Sequence, residues 1–204
     1  MSTQIKICGI KTEDEVALIN RYPVSYMGLI FAKSKRQVSL EKAAYLRAMV
    51  RGDIKVVGVF MDQDPAFIQE AIDHCDLDGI QLHGDETNAF IAKFDLPVWK
   101  SIAVKGPESL ALLKRYSNAQ GLLIDTYHQG ATGGTGRAFN WDLVKDIEID
   151  QQLILAGGLS PDNVRRAIKV VNPDILDLNS GLEVDLMKDP DKVKQLFEVL
   201  NDLL

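Results

Sequence analysis

The chain has 204 residues, 46% hydrophobic and 25% charged, which suits one domain with a sizeable core and excludes a disordered chain. Its formal charge of −6 leaves no broad basic face, so no nucleic-acid partner is expected. No apolar run approaches the ~18 residues of a membrane helix, and the opening Met-Ser-Thr-Gln-Ile-Lys carries no signal segment. Cys8 and Cys75 form no disulfide framework. The expectation is a cytoplasmic enzyme, monomer or homodimer, with no membrane partner.

Short apolar runs alternate with helical patterns from end to end, the signature of a parallel sheet. The pattern predicts strands over 4–8, 26–31, 55–60, 79–82, 98–102, 121–125, 153–156 and 175–178. It predicts helices over 13–21, 40–50, 65–74, 86–94, 107–115, 141–147, 161–170 and 190–201. Thr12 with Glu15 makes a capping box, and Asp64-Pro65, Ser160-Pro161 and Asp189-Pro190 each place a cap before a proline. No linker interrupts the series, so residues 1–204 read as a single domain. Eight βα units in so short a chain fit a single-domain α/β (β/α)8 TIM barrel. The competing doubly wound sheet would carry a glycine fingerprint after its first strand, where Cys8-Gly9-Ile10-Lys11 stands instead.

In a barrel the chemistry sits at the C-terminal strand ends. Along the first strand Gln4, Lys6 and Cys8 share the face that points inward, and Ile5 and Ile7 the face toward the helices. Cys8 is either a small core residue or, with Lys6 favouring the thiolate, a nucleophile or proton acceptor. Lys6 needs a carboxylate inside the barrel, and Asp177 on the eighth strand is the candidate. After the second strand, Arg36 is either solvated or the partner of a substrate carboxylate. His83, ending the fourth strand, either lines the site or is structural.

Asp125 ends the apolar run Gly121-Leu-Leu-Ile, where partial desolvation suits a proton donor; the alternative is a loop cap. The glycine-rich stretch 126–137 after it reads as a lid or substrate-contacting loop. Gly157-Gly158 and Ser180-Gly181 follow the last two strands. Each alone is a tight turn, but as a pair they mark a backbone phosphate site. No metal-ligand spacing is present, and no metal is expected.

Together Lys6-Ile-Cys-Gly-Ile10, Gly28-Leu-Ile-Phe-Ala32 with Ser34-Lys-Arg36, Val57-Gly-Val-Phe60, Gln81-Leu-His-Gly84, Leu123-Ile-Asp-Thr126, Gly133-Gly-Thr-Gly136, Leu155-Ala-Gly-Gly-Leu159 and Asp177-Leu-Asn-Ser-Gly-Leu-Glu183 resemble the phosphoribosylanthranilate isomerases of tryptophan biosynthesis. The resemblance implies an Amadori rearrangement of N-(5-phosphoribosyl)anthranilate, a phosphosugar, to 1-(2-carboxyphenylamino)-1-deoxyribulose 5-phosphate, with no cofactor. It implies Asp125 as general acid, Cys8 as general base, Arg36 on the anthranilate carboxylate, and the two glycine turns on the phosphate. Departures from the family pattern are Lys11, Lys35, Asn179 and the segment Asp185-Leu-Met-Lys-Asp189. The histidine-pathway isomerase would place an aspartate where Cys8 stands, and the motifs of indole-glycerol-phosphate synthase are missing. A ligand-binding module without catalysis would have no need of Cys8 and Asp125.

Overall fold

A computed structural model describes residues 3–104, 106–125, 141–145 and 147–202. Eight parallel strands close into a barrel in chain order: β1 Gln4–Cys8, β2 Tyr26–Ile30, β3 Lys55–Phe60, β4 Gly79–Leu82, β5 Val98–Ala103, β6 Gly121–Asp125, β7 Gln152–Ala156 and β8 Ile175–Leu178. The closing pair is β1 with β8, in a register that sets Lys6 beside Asp177. The helices are α1 Glu13–Ile19, α2 Leu40–Met49, α3 Pro65–Cys75, α4 Asn88–Ile91, α5 Val164–Val171 and α6 Pro190–Asn201. Between β8 and α6 a short hairpin pairs β9, Glu183–Val184, with β10, Met187–Lys188.

Strand alternation divides the chain into two cores. Outward residues such as Ile5, Ile7, Leu29, Val56 and Leu176 pack under the helices. Inward residues form the barrel's filling: a floor of Tyr26, Val57, Trp99, Leu123, Ile154 and Ile175, where Tyr26 and Trp99 meet edge to face at 4.9 Å. Above it lie Lys6, Gln81 and Asp177, all buried, with the Lys6 ammonium 6.0 Å from the Trp99 ring centre. Cys8, Ile30 and Val59 form the next layer. The polar layer therefore lies between two apolar ones, and Gln81 and Asp177 reach the lining of a cavity beside Cys8.

The caps behave as their chemistry dictates. Thr12 and Glu15 close the capping box on α1, and Asp64 and Asp189 accept from Ala66 and Lys192 N–H groups ahead of α3 and α6. Several predicted helices are shorter or wound differently. Glu86 does not open α4, because its carboxylate is buried, accepting from the Asp62 N–H at 2.9 Å and facing the Lys100 ammonium at 3.3 Å; Thr87 caps the helix instead. Residues Pro107–Arg115 and Trp141–Leu143 wind as 3-10 turns.

Ser160-Pro161 does not start α5. Asn163 staples the loop, accepting from the Ser160 N–H at 2.9 Å and donating to the Gly158 carbonyl at 2.9 Å, so the helix begins at Val164. An asparagine that bonds the backbone on both sides holds a turn that the serine cap would have replaced. No helix among the described residues is long and apolar enough to cross a membrane.

Candidate active site

Cys8, Arg36, His83, Asp125, Gly157, Gly158, Ser180 and Gly181 line one cavity of about 500 Å³ at the C-terminal end of the barrel. The predicted lid, 126–137, lies outside the described residues.

Cys8 is buried at the end of β1, its neighbour in register being Gly28 on β2. A Cβ on Gly28 would lie 2.6 Å from the Cys8 Sγ, so the thiol occupies space that only glycine concedes. Behind it, the Lys6 Nζ donates to Asp177 Oδ2 and to Gln81 Oε1, each at 2.7 Å. The pairing inferred for Lys6 is therefore present, and Gln81 is a second acceptor that the sequence did not single out. Burial opposes the ammonium, but the charge and hydrogen bond of Asp177, with Cys8 beside it, outweigh it and hold Lys6 above its ordinary pKa.

Lys6 does favour the Cys8 thiolate, but it does not decide the balance. Burial pushes the thiol up; the charges of Lys6 and Lys188 pull it down, and the nearby Asp177 carboxylate adds to the rise. Because Lys6 already shares its charge with Asp177, burial prevails and the resting group is a thiol.

Asp125, half-buried at the end of β6, stands across the cavity from β1, with β7 and β8 between them. It is in register with Ala156, the residue before the first glycine turn. His83 follows β4, and burial together with the charges of Lys6 and Lys100 lowers its pKa to about 4. At neutral pH it is an uncharged imidazole that can donate or accept one hydrogen bond without attracting an anion.

Gly157 and Gly158 have φ of +90° and +66°, the left-handed region that glycine enters without cost. A Cβ at Gly158 would meet nothing within 4 Å, whereas one at Gly181 would lie 1.9 Å from the Leu159 carbonyl oxygen. The turns after β7 and β8 are thus packed backbone to backbone, and their glycines open a surface bare of side chains. Such a surface lets an anion approach main-chain N–H groups directly.

Arg36 lines the cavity and is also engaged below it. Its Nε donates to Glu183 Oε1 at 2.8 Å and its Nη2 to Glu183 Oε2 at 2.5 Å. Lys188 donates to Glu183 Oε1 at 2.6 Å and to Asn179 Oδ1 at 2.9 Å. Burial works to raise the Glu183 carboxyl, but hydrogen bonds from Arg36 and Lys188 and their charges hold it at about 2.

The sequence did not single out Glu183 and Lys188, whose ion pair adjoins Arg36 of the cavity lining. Asp185 and Leu186 take φ of +50° and +65° in the hairpin that sets Lys188 opposite Glu183. A leucine in that region costs about 1–2 kcal/mol, which the fold bears to keep the pair in register.

Around Cys8 the charges of Lys6, Arg36 and Lys188 face those of Asp177 and Glu183. On the cavity lining itself stand two cations, Lys33 and Arg36, and two carboxylates, Asp125 and Asp177, with Arg36 placed on the same wall as the glycine turns. Among the described residues no cluster of three His, Cys, Asp or Glu side chains can hold a metal ion.

The comparisons agree with this geometry. Residues 5–199 match the family model described as N-(5'phosphoribosyl)anthranilate (PRA) isomerase. The N-(5'-phosphoribosyl)anthranilate isomerase of Clostridium acetobutylicum is 40% identical over 197 residues, covering 95% of this chain and 96% of its own. That of Clostridium kluyveri is 38% identical over 201 residues, 98% of each. The crystal structure of phosphoribosyl anthranilate isomerase from Thermotoga maritima superposes with a TM-score of 0.91 at 29% identity, covering 98% of this chain and 99% of that one. A phosphoribosyl anthranilate isomerase in complex with reduced 1-(o-carboxyphenylamino)-1-deoxyribulose 5-phosphate superposes with a TM-score of 0.87 at 28% identity, with the same coverage. A closed eight-stranded barrel and a match across nearly the whole chain place this protein in the N-(5'-phosphoribosyl)anthranilate isomerase family.

Proposed function

We propose that this barrel converts N-(5'-phosphoribosyl)anthranilate into 1-(2-carboxyphenylamino)-1-deoxyribulose 5-phosphate, a step of tryptophan biosynthesis, with Asp125 as acid and Cys8 as base. The observation that carries the assignment is that both groups line the cavity that also holds the two glycine turns. The phosphate anchors on the backbone of Gly157, Gly158, Ser180 and Gly181, and the anthranilate carboxylate on Arg36. Since β7 and β8 lie between β6 and β1, a sugar anchored there has Asp125 on one side and Cys8 on the other. His83, uncharged at neutral pH, offers a hydrogen bond from the β4 side.

Asp125 delivers a proton to the furanose oxygen while the anilino nitrogen pushes its lone pair into C1, breaking the C1–O bond and leaving a protonated Schiff base. Cys8 then removes the proton from C2, and the electron pair moves into the C1–C2 bond to give an enolamine. Reprotonation at C1 and loss of the enol proton yield the ketone. The iminium charge acidifies C2–H and, beside Cys8, favours the thiolate that burial disfavours in the empty site. The substrate's own nitrogen is the electron sink.

The assay is the change in anthranilate fluorescence when the protein meets freshly made phosphoribosylanthranilate. Turnover is expected; a protein that folds but leaves the signal unchanged would overturn the assignment.

The phosphate anchor has its own test. Gly181→Ala places a methyl where the Leu159 carbonyl oxygen stands, 1.9 Å away, and must push the two turns apart. KM for substrate should rise about 10-fold or more, as expected when backbone N–H groups lose their convergence on an anion. Inhibition by inorganic phosphate should weaken in parallel. An unchanged KM would put the phosphate elsewhere.

A further inference from the structure

We infer that Glu183 is the positioning residue of the carboxylate subsite: it acts on substrate through Arg36, by fixing the edge of the guanidinium that faces the cavity. The inference rests on the functional reading above and adds a residue to it.

A guanidinium has five N–H donors in a rigid plane. Glu183 takes the side formed by Nε and Nη2, and that fork–fork pair fixes the plane of the group. The end formed by Nη1 and the second proton of Nη2 is left over by the described hydrogen bonds, and it is the other edge with fork geometry. Arg36 gives up its rotamer freedom in the empty protein, so little of it remains to be lost when a carboxylate arrives.

The same carboxylate reaches the other end of the substrate site. Lys188, held by Glu183 Oε1 at 2.6 Å, donates to the Asn179 carbonyl at 3.3 Å and to Asn179 Oδ1 at 2.9 Å. Asn179 immediately precedes the Ser180-Gly181 turn. Glu183 thereby touches the anchor of one substrate anion directly and the turn proposed for the other only through Lys188 and Asn179, a turn that the Leu182 N–H also closes on the Asn179 carbonyl at 3.1 Å. The backbone supports this: Lys188 N–H donates to Glu15 Oε1 at 2.9 Å, and Lys192 Nζ donates to the Glu183 carbonyl at 2.8 Å.

Removing a negative charge by itself draws an anion in. Two effects compete. Glu183→Gln frees Arg36 to move, which weakens binding; it also removes an anion, which strengthens it. Lys188 decides the balance. Burial depresses its pKa, and the hydrogen bond and charge of Glu183, with Cys8 and Glu15, resist this, so losing Glu183 pushes Lys188 further toward the neutral amine and offsets part of the gained positive charge. Lost orientation is left as the larger effect.

The experiment measures KM and kcat of Glu183→Gln, Arg36→Met and the double variant, with competitive binding of ribose 5-phosphate, which lacks the carboxylate. KM of Glu183→Gln should rise about 10- to 100-fold, the range of a charge-assisted hydrogen bond, with kcat within a few-fold. Ribose 5-phosphate should bind within about 3-fold of wild type, and the double variant should lose little beyond Arg36→Met alone, because the two residues act as one unit.

A KM that falls or stays the same in Glu183→Gln while rising in Arg36→Met would overturn the role of Glu183 alone. Full additivity in the double variant would overturn it too. An unchanged KM in Arg36→Met would instead remove the carboxylate subsite on which the inference rests. If Glu183→Gln does not fold, Glu183→Asp keeps the charge but withdraws it by one methylene, and its KM should still rise at least 5-fold; an unchanged KM there is equally contrary.

Discussion

Asp125→Asn is expected to bind substrate with little change in KM and to turn it over about 10²–10⁴-fold more slowly. The amide keeps the size of the carboxyl and much of its hydrogen bonding, and cannot deliver a proton to the ring oxygen. Asp125 sits at the rim of the cavity on β6, half-buried, with its main chain in register between β5 and β7. Replacing one side-chain oxygen by nitrogen leaves that register alone. A residue whose work is structural gives the opposite pattern: a lower melting temperature with kcat within a few-fold. Both quantities come from one preparation. A destabilised but fully active variant would take Asp125 out of the mechanism and leave ring opening without an acid.

Cys8→Ser should be as severe, again about 10²–10⁴-fold in kcat, and should not unfold the protein. Serine is smaller than cysteine, so it fits the space that Gly28 leaves for the Sγ. Its hydroxyl is a far poorer proton acceptor at any accessible pH. A variant that retains more than about a tenth of wild-type kcat would refute the assignment.

The wild-type pH profile carries the same claim with a definite sign. Burial raises the thiol from its ordinary 9.0, and the active form of a general base is the deprotonated one. The kcat/KM limb that reports Cys8 in the free enzyme should therefore climb with pH through neutrality and flatten only above that value. A limb that levels off well below the ordinary thiol range would mean that Lys6 and Lys188 outweigh burial after all.

Much of this was legible in the residues, for physical reasons that can be named. Buried parallel strands are short apolar runs, so the barrel could be counted off the chain, and the rule that chemistry sits at the C-terminal strand ends picked out Cys8, His83, Asp125 and the glycine turns. Strand alternation put Lys6 inside the barrel, where only a carboxylate on a neighbouring strand could meet it; the register of β1 on β8 supplies Asp177. Proline after aspartate read correctly at α3 and α6.

Serine before proline misread α5, because Asn163 offers the backbone two hydrogen bonds that compete with the cap. For a similar reason no helix starts at Glu86: a buried lysine on β5 claims that carboxylate through space. Arg36 and Glu183 stand 147 residues apart, and periodicity carries no information about such a meeting. Nor did the sequence reveal that burial outweighs Lys6 at Cys8, since that is a balance between solvent exclusion and charges set by three-dimensional packing.

The most direct measurement is a crystal structure of this protein with reduced 1-(o-carboxyphenylamino)-1-deoxyribulose 5-phosphate bound. The phosphate should lie within hydrogen-bond distance of main-chain N–H groups of the Gly157-Gly158 and Ser180-Gly181 turns, and the ligand carboxylate on the free end of Arg36. The Cys8 Sγ should face C2 from one side of the sugar chain and the Asp125 carboxyl should stand on the other. A ligand whose phosphate sits away from both turns, or that leaves Cys8 and Asp125 on the same side of the sugar, would contradict the acid–base pair.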